Sequence, residues 1–513
     1  MDPVRPGHTN APPAAAASAG ADLRAPAPAD PRRWWGLVAI GLAQLMVVLD
    51  MTIVNIALPS AQRDLGISDA DRQWVITAYT LAFGGMLLLG GRIGDLIGRK
   101  RALIIGLIGF AAASALGGFA VNSGMLLGAR ALQGIFAALL SPAALSLLTV
   151  TFTEPRERAR AFGIYGAIAG GGSAVGLIVG GLLTEYLDWR WCLLVNAPIA
   201  VVTVIGASMF LRDHRPEHAP RLDVLGAVLA SGGLLAIVYG LGEAEQRGWT
   251  SALVLSMFVV GLAMLSMFVA VEQRAAHPLL PLRVVRDRNR GGALAGIGLS
   301  TVGMFGVFLF LTYYLQVIQQ YSPVRTGLAF LPMTVGMMTG SLAIASRLLP
   351  RVAPRRLMVP GLVIAAAALA YLTRIEVGSS YVVHVLPSLF FLGLGMGMTF
   401  MPAMSTATFG VEQRDAGVAS ATVNTAQQVG GSIGIALLNT VATSATTAFI
   451  TAHGGATPQA LAVAAVHGFS VAIWISVGFL LAAAVVAGTS ITIGPLNRRP
   501  APEREPEAVA ALA

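Results

Sequence analysis

Two ionisable side chains stand inside long apolar stretches of this chain. Asp50 lies in Leu49-Asp50-Met51-Thr52-Ile53-Val54-Asn55-Ile56-Ala57-Leu58-Pro59, and Arg130 opens Arg130-Ala131-Leu132-Gln133-Gly134. A carboxylate in hydrocarbon costs several kcal/mol unless it is neutralised, hydrated or paired. Asp50 is therefore a candidate to bind a proton or a cation. It sits about 15 residues into its run, so a plainer account, an acid at headgroup level reached by water, stays open. Arg130 stands about a turn and a half into another run. A guanidinium does not shed its proton in a protein and needs a partner; the plainer account is snorkelling to the interface. Arg130 enters from the side that Asp50 approaches, so the two can share one depth. As a pair they are expected to couple protons to the movement of something else.

A second constellation is Gly91-Arg92-Ile93-Gly94-Asp95-Leu96-Ile97-Gly98-Arg99-Lys100-Arg101. Glycines let two helix ends and a tight turn approach closely. Asp95 among Arg92, Arg99, Lys100 and Arg101 suits a charge-assisted latch, one that forms in one conformation and breaks in another. Topological anchoring explains the basic residues but neither the acid nor the glycines. With Gly91, Asp95, Gly98, Arg99, Lys100 and Arg101 as a cytoplasmic gate, the segment resembles the loop between spans two and three of the major facilitator superfamily.

Further on, Gly163, Gly166, Gly170-Gly171-Gly172, Gly176 and Gly180-Gly181 line one stretch. Small residues at helical spacing let backbones pack closely. Gly166, Gly172, Gly176, Gly180 and Gly181 are similar to the glycine-rich helix of exporters in that superfamily. Leu177 stands where those have proline, which argues against a kink.

These residues need a scaffold, and composition names it. The 513 residues are 55% hydrophobic and 12% charged, with mean hydropathy +0.72; soluble domains carry about twice that charge. A bilayer span takes about 20 mostly apolar residues. Fourteen such runs occur, at 34–58, 74–91, 102–121, 125–150, 161–184, 191–211, 222–242, 251–271, 292–316, 326–348, 356–373, 382–404, 416–441 and 466–490. Strands of a β-barrel would alternate, and none do.

A net charge of +9 and a pI near 10.3 would suggest nucleic acid in a soluble protein. Here they mark topology. Segments on the side of the termini hold 27 of the 34 Lys and Arg, the opposite loops only Arg63, Arg72, Arg190, Arg247, Arg325 and Arg374. Both termini are thus expected in the cytoplasm, with the chain multi-pass in the cytoplasmic (inner) membrane. Residues 1–33 read as a disordered arm, too weakly apolar for a signal-peptide core, and 491–513 as a disordered tail.

The loop at Gly91–Arg101 has a degenerate echo at Ser346–Arg356, 255 positions later. Gly163, Gly176 and Gly180 align with Gly417, Gly430 and Gly434 at an offset of 254. Two parallel six-helix halves, 34–211 and 291–490, with an inserted helix pair in 212–290, produce such an echo and leave a cavity between them. The expected fold is an all-α polytopic membrane protein of the major facilitator type with 14 transmembrane helices.

Trp189-Arg190-Trp191 with Asn196-Ala197-Pro198, the stretch His277 to Arg283, Tyr313-Tyr314-Leu315-Gln316 through Ser322-Pro323, and Gly417 to Gly434 resemble the fourteen-helix drug:proton antiporter branch, the EmrB/QacA type. The resemblance covers about residues 34–490. It implies export of small lipophilic substrates, cations among them, driven by the proton gradient, with no bound cofactor and no metal, in a chain working as a monomer. The C-terminal runs are poor in ionisable residues and rich in methionine and aromatics, surfaces that adapt to varied ligands. Candidate cavity residues are Asn55, Gln133, Phe305, Tyr313, Gln316, Met337, Met398, Asn424 and Gln428. Helix packing or lipid contact is the plain alternative for each.

No HExxH, CxxC or P-loop occurs, so an enzyme with catalytic residues is not expected. Cys192 is the sole cysteine, and an inert buried thiol is expected. Two functions compete, proton-coupled export of drugs or antibiotics and dedicated export of one endogenous natural product or metabolite.

Overall fold

The computed structural model describes residues 32–495 apart from 69–70, 153, 213–222, 276–277, 279, 281, 412–415 and 454–456. Nearly all of the expected arm and tail falls outside the described residues.

Every apolar run is helical, because lipid supplies no partner for a free backbone N–H or C=O. The helices are α1 (Arg33–Leu65), α2 (Trp74–Ile97), α3 (Arg99–Gly118), α4 (Ser123–Thr151), α5 (Pro155–Tyr186) and α6 (Trp191–Phe210). Then come α7 (Val224–Arg247), α8 (Ala252–Arg274), α9 (Arg288–Ile318), α10 (Pro323–Leu348), α11 (Arg355–Leu372), α12 (Tyr381–Thr408), α13 (Ala416–His453) and α14 (Pro458–Ser490). Among the described residues twelve of these are long and apolar enough to cross a bilayer. The other two, α2 and α5, are 24 and 32 residues long and pack into the same bundle. The architecture is all-α and compatible with fourteen crossings.

Side-chain caps set several helix starts. Asn122, Asp223, Ser251, Asp287, Ser322 and Thr457 each accept from the backbone N–H three residues on, satisfying a donor the helix itself leaves open. Some helices outrun the apolar runs expected for them: α1 continues from 58 to Leu65 and α13 from 441 to His453. A 33-residue helix is about 50 Å long against a hydrocarbon core of about 30 Å, so its polar ends project beyond the apolar window that hydropathy detects. Three π-helical turns, Tyr314–Ile318, Thr339–Ala345 and Tyr381–Val385, end α9, interrupt α10 and begin α12.

The packing repeats. Helices α1, α2 and α3 pair with α5, α4 and α4 in the first set of six; α9, α10 and α11 pair with α13, α12 and α12 in the last six. Both α1 and α3 flank α6, as α9 and α11 flank α14. Across the seam, α2 lies on α13 and α5 on α10, a pair of contacts related by the same exchange. Helix α7 packs over the α2–α13 seam, with Val238 and Leu241 against Leu81 and Ala436, and α8 packs on α7.

The bundle has a terminal end, where α1 begins and α14 finishes, and an opposite, distal end. Contacts between the two sets of six gather toward the distal end. The largest core cluster joins Ile53 to Ala61 of α1 and Leu177 of α5 to α9–α14.

Candidate functional site

Asp50, halfway along α1, is fully buried. Arg130 of α4 donates from Nη1 to its Oδ2 at 2.6 Å. Gln133, one turn on, donates from Nε2 to Oδ1 at 2.8 Å, and Asn196 of α6 donates from Nδ2 to the same oxygen at 3.0 Å. All three neighbours donate, the arrangement an ionised carboxylate accepts. Ser114 of α3 accepts from both Gln133 and Asn196 at 3.0 Å and donates to the carbonyl of Leu193. Arg130 also gives its Nε–H to the carbonyl of Val75 and its Nη1 to Gln133 Oε1, and its guanidinium lies 4.4 Å from the Tyr79 ring centroid.

Helices α1, α2, α3, α4 and α6 thus converge on one dry charge cluster. Neither member of the pair is more than 1% exposed, so the headgroup-level and snorkelling accounts give way to pairing inside the protein. A small void of about 10 Å³ touches Arg130 on its distal side, between Val54–Ala61 of α1, Leu126 and Trp189. Apart from Arg130 its lining is almost entirely apolar.

The seam lies on an adjacent face of the same helices. Met51 follows Asp50, and its Sδ accepts from Gln428 Nε2 of α13 at 3.9 Å. Thr80 follows Tyr79, and its Oγ1 accepts from Ser432 Oγ of α13 at 2.9 Å. Consecutive helical residues point about 100° apart, so α1 and α2 each present one residue to the cluster and the next to the other half.

Distal closure is built from polar and glycine contacts. Arg72 Nε donates to Asn439 Oδ1 at 3.2 Å, and its guanidinium lies 4.1 Å from the centroid of Tyr313. Tyr313 in turn bonds Gln62. Gln316 Nε2 reaches the carbonyl of Ile56 at 3.0 Å, and Glu185 accepts from the N–H of Val324 at the start of α10 at 2.9 Å. A Cβ at Gly181 would fall 2.7 Å from Val324 Cα, and one at Gly327 would collide with the Leu177 carbonyl.

Other expected site residues fall as follows. Gly98 turns α2 into α3 at φ +97°, and a Cβ on Gly91 would sit 3.5 Å from Pro142. Lys100 donates to the carbonyls of Ser208 and Leu211 at the end of α6, both at 2.7 Å, and Arg92 to that of Pro278 at 2.8 Å. Lys100 therefore ties α3 to α6 within one half, while the side chain of Asp95 lies outside the described residues. Arg99 and Arg101 both hold partners.

In α5, Gly172 lies on Leu45 and Val48, Gly176 on Thr52, and Gly180 on the Ile53 backbone; Gly166 lies outside the described side chains. The helix runs unbroken past Leu177.

The expected cavity residues separate. Gln133 belongs to the charge cluster and is fully buried; standing three residues from Arg130, it shares that residue's face rather than a cavity wall. Tyr313 and Gln316 belong to the distal closure. Met398 packs where α12 crosses Gly361 of α11, and the Met337 carbonyl abuts Gly397, so the backbones at these two serve helix crossings inside one half. Asn55, whose Nδ2 bonds the Met51 carbonyl at 2.7 Å, sits one turn beyond Met51. Gln428 remains at the seam, one turn from Asn424, and Phe305 lies beside Gly431.

Sequence reasoning passed over Ser114, Tyr79 and Arg72 as site residues. Asn196 appeared only within a resembling segment, although a buried amide in an apolar run is the same signal that marked Asp50.

Fold and buried ion pair together define a two-half membrane transporter. Residues 40–435 match the profile of the Major Facilitator Superfamily, and the chain belongs to that family. It is 58% identical over 460 residues to the puromycin resistance protein pur8 of Streptomyces alboniger, covering 89% of this chain and 91% of that one. It is 38% identical to the cephamycin export protein CmcT of Amycolatopsis lactamdurans (80% and 85% covered). It is 33% identical to the multidrug efflux pump LfrA of Mycolicibacterium smegmatis (85% and 86%). In fold it resembles the crystal structure of a bacterial homologue of the human lysosomal transporter Spinster in an inward-facing, unoccupied conformation, with TM-score 0.65 at 16% identity over 90% of this chain and 97% of that one. The protein is a multi-pass membrane transporter of small molecules, in a family of transporters rather than enzymes.

Proposed function

We propose that this chain is a proton-coupled antiporter of the fourteen-helix drug-exporting branch, which moves lipophilic antibiotics out across the cytoplasmic membrane by alternating access. The observation that carries the proposal is the adjacency of Asp50 to Met51 and of Tyr79 to Thr80, each pair dividing between the charge cluster and the seam. A proton arriving at Asp50 removes the charge that Arg130, Gln133 and Asn196 all address. The cluster must then rearrange, because Arg130 stays charged and a lone buried cation is strongly unfavourable.

Any rotation of α1 or α2 that accommodates this also moves Met51 and Thr80 against α13. Proton state and substrate contact thereby bias the same two helices, which is what coupling requires. On this reading the paired, distally closed arrangement is the proton-released state. Both termini face the cytoplasm on the basic-residue asymmetry, and a single chain holds the whole cluster.

Relatives named for resistance to, or export of, puromycin, cephamycin and several drugs support export as the direction. The first two are named for single antibiotics, which favours dedicated export of one natural product as the second reading. Reconstituted protein under an imposed pH gradient decides the coupling: we expect the parent to accumulate puromycin, ethidium or tetraphenylphosphonium only with the gradient, and Asp50→Asn to lose that accumulation while still exchanging substrate across the membrane. Full gradient-driven accumulation by Asp50→Asn would sink the assignment. Uptake of all three would set the broad reading above the dedicated one.

A further inference from the structure

Gln428 is 8% exposed, and its Oε1 has no hydrogen-bond partner. Its Nε2 has only the Met51 thioether at 3.9 Å, a weak acceptor. One turn nearer the terminal end Thr425 Oγ1 is also unpartnered. Buried amides are mostly matched in folded proteins. Here Gln73, Asn196 and Asn439 also carry one unpartnered atom each, but Asn196 and Asn439 are otherwise held by oxygen–nitrogen hydrogen bonds, whereas Gln428 has only the thioether. Four residues further along α13, Ser432 is satisfied by Thr80 and by the Gln428 carbonyl. Helix α2 comes close here: a Cβ at Gly84 would fall 2.7 Å from that of Gln428. At Gly84 itself α2 offers no side chain to the amide. Around it stand the thioether of Met51 and, on Gly431 one turn away, the face of Phe305.

We infer that Gln428 is the residue that orients the transported molecule, and that its amide is left open for a hydrogen-bond donor on that molecule. The preferred substrate class is then a lipophilic, ring-bearing compound with an amino, amide or hydroxyl group beside its apolar body. Ring and alkyl parts rest on Met51 and Phe305 while the donor reaches Oε1, and Thr425 stands near enough to share the load. A site with an unmatched polar group discriminates for that group more sharply than an apolar wall discriminates by size. The inference rests on the export reading above and sharpens it.

The test compares two lipophilic cations in proteoliposomes of the full chain. Ethidium carries two aromatic amines; tetraphenylphosphonium has no hydrogen-bonding group. Gln428→Met keeps the volume and removes the amide. We expect its apparent affinity for ethidium to fall about tenfold, with that for tetraphenylphosphonium changed less than about twofold. Without substrate, the variant's melting temperature should hold or rise, since an unmatched amide has left a packed seam.

Equal losses for both probes, no loss for either, or a lowered melting temperature would each overturn the inference, the last by showing that the amide serves packing. A parent that moves neither cation contradicts export of lipophilic cations itself, and the inference falls with it.

Discussion

The site turns on individual donors and one acceptor. Removing Arg130 leaves Asp50 buried with two amide donors and no cation, and orphaning one partner of a buried pair costs about 3–5 kcal/mol. Arg130→Ala is therefore expected to unfold at lower temperature in detergent and to lose gradient-driven export. Arg130→Lys should also fail as an exporter, since an ammonium cannot reach Asp50, Gln133 and the Val75 carbonyl together from one planar fork; wild-type transport by that variant would disprove the requirement. Asn196→Leu removes one of the two donors to Asp50 Oδ1, at a cost of about 1–3 kcal/mol for the groups left unmatched. We expect it to keep substrate exchange and to displace the pH dependence of gradient-driven export, whereas an unchanged pH profile would confine Asn196 to packing.

Asp50 and Arg130 were legible from sequence because a charge in an apolar run is costly wherever its helix packs. Gln133 is visible in the sequence as a cavity candidate, but its bond to Asp50 is not, since which face of α4 meets α1 is a tertiary fact. Asn196 and Ser114 meet only because α3 and α6 are neighbours; an amide in an apolar run singles out Asn196, but nothing local to either helix names its partner.

At the scale of elements the account depends on how closely α5 and α10 can meet. Glycines 181 and 327 let the backbones touch at the distal end, with Glu185 receiving the first free N–H of α10. A valine at either glycine cannot be seated without separating the two helices. In a Cys192→Ala background with Asn55→Cys as reporter, we expect Gly181→Val to raise labelling by a membrane-impermeant maleimide from outside several-fold. Labelling no faster than without the valine would mean that α5 and α10 do not hold the distal side shut.

The helices themselves were readable from hydropathy, and the doubling from the echo between Gly176–Gly180 and Gly430–Gly434. These glycines now appear at equivalent crossings, α5 on α1 and α13 on α9. The distal contacts of Arg72 and Tyr313 were not readable. Arg72 follows a loop and counts there as one outside charge, and only the closure of one half on the other turns it inward to Asn439.

For the whole molecule, charge asymmetry and packing make separate demands. If the terminal end is cytoplasmic, protease added to right-side-out vesicles should spare a tag at either terminus and should remove it once the vesicles are opened; cleavage from outside would reverse the orientation, and with it the direction of transport proposed here. Coupling is a property of this scale too, because it needs the cluster within one half and the seam between halves to communicate through α1 and α2. That exchange can be observed without a membrane. On adding a transported substrate to purified, nearly unbuffered protein, we expect protons to appear in solution from the parent and none from Asp50→Asn, although both bind. Proton release that persists in Asp50→Asn, or its absence from a parent that binds substrate, would contradict the linkage between Asp50 and the seam.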